Sequence, residues 1–99
     1  MNKNILELIE YPKEGILNKE IFNDSKLDVS LFCMAKGAKI GEHTSTKKGT
    51  IYVLEGKGVF VLEKKSIKML PGVFISMKEN AIHSLKAEEN TSFILTLIN

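Results

Sequence analysis

Two histidines, His43 and His83, are the residues of this sequence best suited to chemistry, because they carry its only imidazole side chains. An imidazole binds transition metals and titrates close to neutral pH, so either ring could serve as a metal ligand or as an acid or base. Each histidine comes just after a turn-rich stretch, and we expect each at the start of a predicted strand. They lie 40 positions apart, so a shared site requires a fold that brings distant strands together.

Glycines surround His43 at a characteristic spacing. Gly37 comes six positions before His43, and Gly49 and Gly56 follow six and thirteen positions after it. The first motif of the cupin family has this spacing, with a second histidine two positions after the first and a glutamate before the last glycine. The sequence resembles that motif, but Ser45 stands in the place of the second histidine and Gly49 in the place of the glutamate.

The stretch around His83 resembles the second cupin motif. Gly72 and His83 stand in register with that motif, whereas Lys78 replaces its proline, Asn80 its second glycine and Ala87 its asparagine. The change at Asn80 is the gentlest of the three, because asparagine tolerates the left-handed backbone conformation that a turn glycine supplies. Two motifs in the correct order make a stronger match than either would alone.

Short apolar segments separated by turn residues predict the elements that position these motifs. Several segments are apolar at consecutive positions, so both faces of those strands are expected to meet apolar surroundings, as in a sandwich or barrel. The segment Ile5–Tyr11 fits a helical turn as well as a strand. The predicted strands are Ile16–Phe22, Leu27–Met34, Thr50–Leu54, Val59–Glu63, Ser66–Leu70, Val73–Met77, Ala81–Ala87 and Thr91–Ile98.

These observations predict one all-β domain over residues 1–99, a small antiparallel β-barrel or jelly roll of the cupin type. The part that carries the motifs covers about residues 29–97. Residues 1–28 are expected to supply N-terminal strands that contribute to a homodimer, because so small a domain gains stability by burying an apolar face against a second copy.

Composition argues against several partners. The net charge is only +2, and the 14 basic residues are all lysines scattered along the chain, unlike the clustered basic stripe of a nucleic-acid-binding protein. Cys33 is the single cysteine, which fits a reducing compartment. No uncharged apolar stretch approaches the roughly 20 residues of a membrane span. We therefore expect a cytoplasmic protein without nucleic-acid or membrane partners.

The resemblance implies a metal site at His43 and His83. Family members with the full set, three histidines and a glutamate, hold a divalent ion such as manganese, iron, nickel or zinc. Two imidazoles without a carboxylate make a poor site for a hard ion, so zinc, nickel or copper is favoured if a metal is bound. Otherwise the histidines are expected to hydrogen-bond a ligand, water or Ser45.

Strand alternation predicts the rest of the pocket. Counting by two from Gly49 points Ile51 and Val53 inward, and counting from His83 points Leu85 inward. Together with Ser45 they would form a mostly apolar small-molecule pocket with polar groups at one end, although each apolar residue could equally be ordinary core.

Several functions are compatible with the sequence. The first is a cupin that binds a small molecule at a two-histidine site. The alternatives are a metal-dependent enzyme, such as a dioxygenase or sugar isomerase, a metal-free epimerase or lyase with histidine as base, and a purely structural dimeric scaffold. The absence of arginine weighs against nucleotide diphosphates as substrates, because arginine usually grips them.

Overall fold

Short segments between turn residues fold into nine β-strands, preceded by one helical turn, and the computed structural model describes all residues from 1 to 99. The elements are α1 (Ile5–Leu8), β1 (Ile16–Asn23), β2 (Leu27–Met34), β3 (Lys39–His43), β4 (Lys48–Glu55), β5 (Gly58–Leu62), β6 (Lys65–Met69), β7 (Phe74–Met77), β8 (His83–Ala87) and β9 (Thr91–Ile98).

The strands form two antiparallel sheets that face one another. One sheet has five strands in the order β1-β2-β9-β4-β7, and the other has four in the order β3-β8-β5-β6. Most neighbours within each sheet are distant in sequence, which is the connectivity of a jelly roll. The predicted all-β, one-domain fold is confirmed.

Strand β3 is the one strand that the sequence did not predict. Its residues include Lys39, Gly41 and Glu42, whereas most of the other strands are rich in Ile, Val, Phe or Leu. The sequence predicted both histidines at the start of a strand. This prediction is wrong for His43, which lies at the end of β3, whereas His83 does begin β8.

The core lies between the two sheets. Eleven buried residues form one hydrophobic cluster, which includes Val53 and Phe93 from the five-stranded sheet and Phe60 from the four-stranded sheet. On the other side of the five-stranded sheet, Tyr52 and Phe74 remain 46% and 62% exposed. The two faces of β4 therefore differ, with its apolar burial concentrated on the inner face.

The N-terminal segment is fixed to the outer face of the five-stranded sheet by Tyr11. Its hydroxyl donates a hydrogen bond to the Glu55 carboxylate at 2.6 Å and lies 3.1 Å from Ser92 Oγ. Burial, and then the Glu55 carboxylate, raise the pKa of Tyr11 far above its usual value, so the hydroxyl keeps its proton. Ser92 pairs across the sheet with Cys33, which is fully buried.

Strand β1 is one of the two edges of the five-stranded sheet, where it pairs with β2 and has no second neighbour within the chain. An unpaired edge can accept a strand from another molecule, and a homodimer stays a prediction.

No helix has the length and apolar character needed to cross a membrane.

The motif glycine Gly56 packs more closely than any other glycine in the chain. Its φ is +106°, and a Cβ atom there would overlap the Asn90 carbonyl oxygen and lie 2.5 Å from Thr91 Cα. Gly72 also has a positive φ, +91°, but a Cβ there would meet no atom within 4 Å. Substitutions at the two positions therefore distinguish the cost of backbone strain from the cost of a steric clash.

We predict that G72A lowers the free energy of unfolding by about 1 kcal/mol through backbone strain alone. G56A should lower it by about 3 kcal/mol or more, because the backbone around Asn90 must also move. Urea denaturation followed by circular dichroism measures both losses. Equal losses in the two variants would show that the close approach at Gly56 has no energetic weight.

Candidate functional site

A β-bulge in β3 places His43 on the inner face of the four-stranded sheet. Ile40 pairs with Leu85 and His43 pairs with His83, so β3 advances three residues while β8 advances two. The extra residue changes which side chains point inward beyond it. Without the bulge, Glu42 would lie opposite His83 and His43 would face outward; with it, Glu42 is exposed.

The two imidazoles contact each other at one end of the space between the sheets. Their ring centroids are 4.0 Å apart and the ring planes meet at 60°. The His83 ring also stacks on Phe60, with centroids 5.8 Å apart and an angle of 10°. His83 is only 7% exposed and His43 is exposed, so the pair bridges the core and the solvent.

Both rings are oriented by their own backbone. His43 Nδ1 lies 2.8 Å from the Gly41 carbonyl oxygen, and His83 Nδ1 lies 2.9 Å from the Ala81 carbonyl oxygen. A carbonyl oxygen only accepts, so each Nδ1 must carry the proton. In the neutral ring each Nε2 is then left as an unprotonated acceptor, free to accept a hydrogen bond or to ligate a metal.

Burial sets the charge state of His83. It lowers the pKa of His83 below the ordinary value of histidine, and repulsion from a charged His43 lowers it further, while the bond to the Ala81 carbonyl opposes the shift. The His83 ring is therefore neutral at pH 7, with its Nε2 lone pair available.

A short hydrogen bond joins the loop that follows His43 to the loop that precedes His83. The backbone amide of Asn80 donates to the Ser45 carbonyl oxygen at 2.6 Å, and Asn80 has a φ of +63°. Asparagine thus adopts the left-handed conformation of the family's turn glycine. The Ser45 hydroxyl accepts a hydrogen bond from the Lys47 amide at 3.1 Å. Both histidine Nδ1 atoms donate to backbone carbonyls instead of to Ser45.

The other predicted pocket residues lie in the hydrophobic core. Ile51, Val53 and Leu85 are 3%, 0% and 6% exposed, and all three belong to the central cluster. Their inward direction agrees with strand alternation, and their role in lining a pocket stays a prediction. The sequence did not single out Phe60, because only the pairing of β5 with β8 places its ring against His83.

The donor set does not fit the family's metal centre. No three histidine, cysteine, aspartate or glutamate side chains lie close enough together to hold an ion. The glutamate's place is taken by Gly49, and a Cβ atom there would lie 3.2 Å from both Met77 Cε and Leu97 Cδ2. Apolar side chains thus occupy the space that a carboxylate would need.

We predict that the metal-free protein loses stability as the pH is lowered through about 6.5. The folded-state pKa of His83 lies below that of the unfolded chain, so the unfolded chain takes up this proton first and is favoured at lower pH. H83N keeps a donor for the Ala81 carbonyl but does not titrate. Denaturation at about pH 7.5 and about pH 5.5 should show a smaller loss in H83N; the same loss in both proteins would contradict the assignment.

Comparison with known proteins places these features in a family. A family model described as a cupin domain (Cupin_2) matches residues 30–99. No curated protein matches the chain significantly.

Solved structures share the whole fold. A conserved protein of unknown function from Streptococcus pyogenes is 19% identical with a TM-score of 0.89, and the match covers 100% of this chain and 87% of that one. A cupin superfamily protein from Desulfitobacterium hafniense is 18% identical with a TM-score of 0.87, covering 93% and 84%. A cupin 2 conserved barrel domain protein from Leptotrichia buccalis is 24% identical with a TM-score of 0.90, covering 98% and 47%. With both motifs in register on a jelly roll and a family model over most of its length, the chain belongs to the cupin family.

Proposed function

We propose that this cupin binds a small molecule at the end of the barrel where His43 and His83 converge. The observation that carries the proposal is the imidazole pair, in contact at 4.0 Å with each Nδ1–H directed at a backbone carbonyl. Two rings oriented in this way offer two Nε2 acceptors on neighbouring strands. A ligand with hydroxyl or amine groups could donate a hydrogen bond to each.

The surroundings suit such a ligand. His83 is buried beside Phe60, where a hydrogen bond is stronger than in water. His43 is exposed and gives a ligand access from solvent. A few polar groups beside apolar walls is the usual composition of a small-molecule site.

A metal-dependent enzyme is the second candidate, and the Nδ1 bonds favour it. Histidine ligands of metals commonly donate their other ring N–H to a backbone carbonyl, as both rings do here. Against it stands the lack of a third protein donor, which catalytic sites normally have. We therefore propose that the pair holds an imidazole-favouring ion, such as zinc, nickel or copper, only loosely.

The ligand site is tested by retention of small molecules from a metabolite extract. Untagged protein is equilibrated with the extract, freed of unbound material and denatured, and the released compounds are identified by mass spectrometry. We expect at least one compound to be enriched about tenfold over an H43N/H83N variant, which lacks both imidazole Nε2 acceptors. T44A changes an exposed neighbour of His43 and should retain the compound. No difference between wild type and H43N/H83N would contradict the proposal.

Metal content is measured separately. We predict that untagged protein dialysed against metal-free buffer holds less than about a tenth of an equivalent of zinc, nickel, copper, iron or manganese. A stoichiometric ion that H83A removes, found by elemental analysis, would contradict this prediction and favour the metal-dependent enzyme.

A further inference from the structure

One row of side chains crosses the inner face of the four-stranded sheet and extends beyond the two histidines. His43 pairs with His83, His83 pairs with Leu62, and Leu62 pairs with Lys65. Directly paired residues of antiparallel strands have side chains on the same face of the sheet. Lys65, on the edge strand β6, therefore faces the same side of the sheet as the imidazoles.

A cleft of about 500 Å³ opens at the Lys65 end of this row. Its volume falls within the usual range for small-molecule sites, about 300 to 1,000 Å³. The cleft is lined by residues of β6, one edge of the four-stranded sheet, and of β7, one edge of the five-stranded sheet. Its lining residues are Leu62, Glu63, Lys65, Ser76, Lys78 and Ala81.

The cleft shares a wall with the histidine site. Leu62, which lines the cleft, is the cross-strand partner of His83. Ala81, which also lines it, provides the carbonyl oxygen that accepts the His83 Nδ1–H bond. A molecule in the cleft would thus lie against the residues that position His83.

The charges around the cleft are mainly positive and unpaired. Lys65 and Lys78 line the cleft together with one acidic residue, Glu63. The one salt bridge in the structure joins Lys19 to Glu10, so neither lysine of the cleft is in an ion pair. Ser76 adds a hydroxyl, while Leu62 and Ala81 supply apolar surface.

We infer that the cleft takes a small organic anion with an apolar body. Its anionic group lies between Lys65 and Lys78, and its body lies on Leu62 and Ala81 towards the imidazole pair. The inference rests on the proposed function and adds the chemical class of the ligand. Lys78, which stands where the second motif has proline, becomes a specificity-determining residue.

The test uses benzoate as the anionic probe and benzamide as a neutral probe of similar shape. Each is titrated into ¹⁵N-labelled full-length protein, followed by the backbone amides and the imidazole ring signals. We expect benzoate to shift the amides of Leu62, Ser76 and Ala81 and the ring of His83, and to bind about tenfold more tightly than benzamide. K65Q/K78Q should weaken benzoate binding about tenfold and leave benzamide unchanged. K26Q/K36Q removes the same charge away from the cleft and should bind like wild type.

The outcomes distinguish this inference from the proposed function. Equal affinity for benzoate in wild type and K65Q/K78Q, or equal loss in K26Q/K36Q, would overturn the anion site. If in that case the shifts centred on His43 and His83, the histidine site would stand without the cleft. Benzoate could instead change the chemical shifts of the cleft amides only, in a way that depends on the two lysines, and leave both imidazole signals unchanged. That result would support the anion site but contradict its continuity with the histidine pair.

Discussion

One extra residue in β3 decides whether this protein has a two-histidine site. Side chains alternate along a strand, so a regular pairing after Ile40 and Leu85 would bring Glu42 opposite His83 and turn His43 to the solvent. The bulge reverses that parity and brings the two rings to 4.0 Å. Everything proposed for the chemistry of the barrel depends on this change of face.

The sequence predicted the fold because most strands carry strong local signals, and it predicted the convergence of the histidines through their register with the two cupin motifs. Apolar residues in short segments marked eight of the nine strands, and turn residues gave their limits. Strand β3 was missed because Lys39, Gly41 and Glu42 do not look like a strand, and it is held by pairing with β8. Gly41 lies within the bulge and is the kind of residue that marks one, but without a predicted strand around it the position of His43 at the end of a strand could not be predicted.

The remaining site features arise from register between strands far apart in sequence. Phe60 meets His83, and Lys65 joins the histidine row, only through the pairing of β5 with β8 and β6. Gly49 stands in the place of the family glutamate, and the side chains of Met77 and Leu97 pack against it. The barrel therefore has two oriented imidazole acceptors at two of the histidine positions of the family motifs, and apolar side chains beside the position of the family glutamate.

The central claim is that His43 and His83 face each other with protonated Nδ1 and bare Nε2 atoms, and NMR of the metal-free protein tests it most directly. We expect nuclear Overhauser effects between the two rings, and nitrogen chemical shifts that identify Nε2 as the unprotonated atom in both. No effect between the rings, together with a His43 ring that averages between tautomers in solvent, would contradict the bulge register and the site that depends on it.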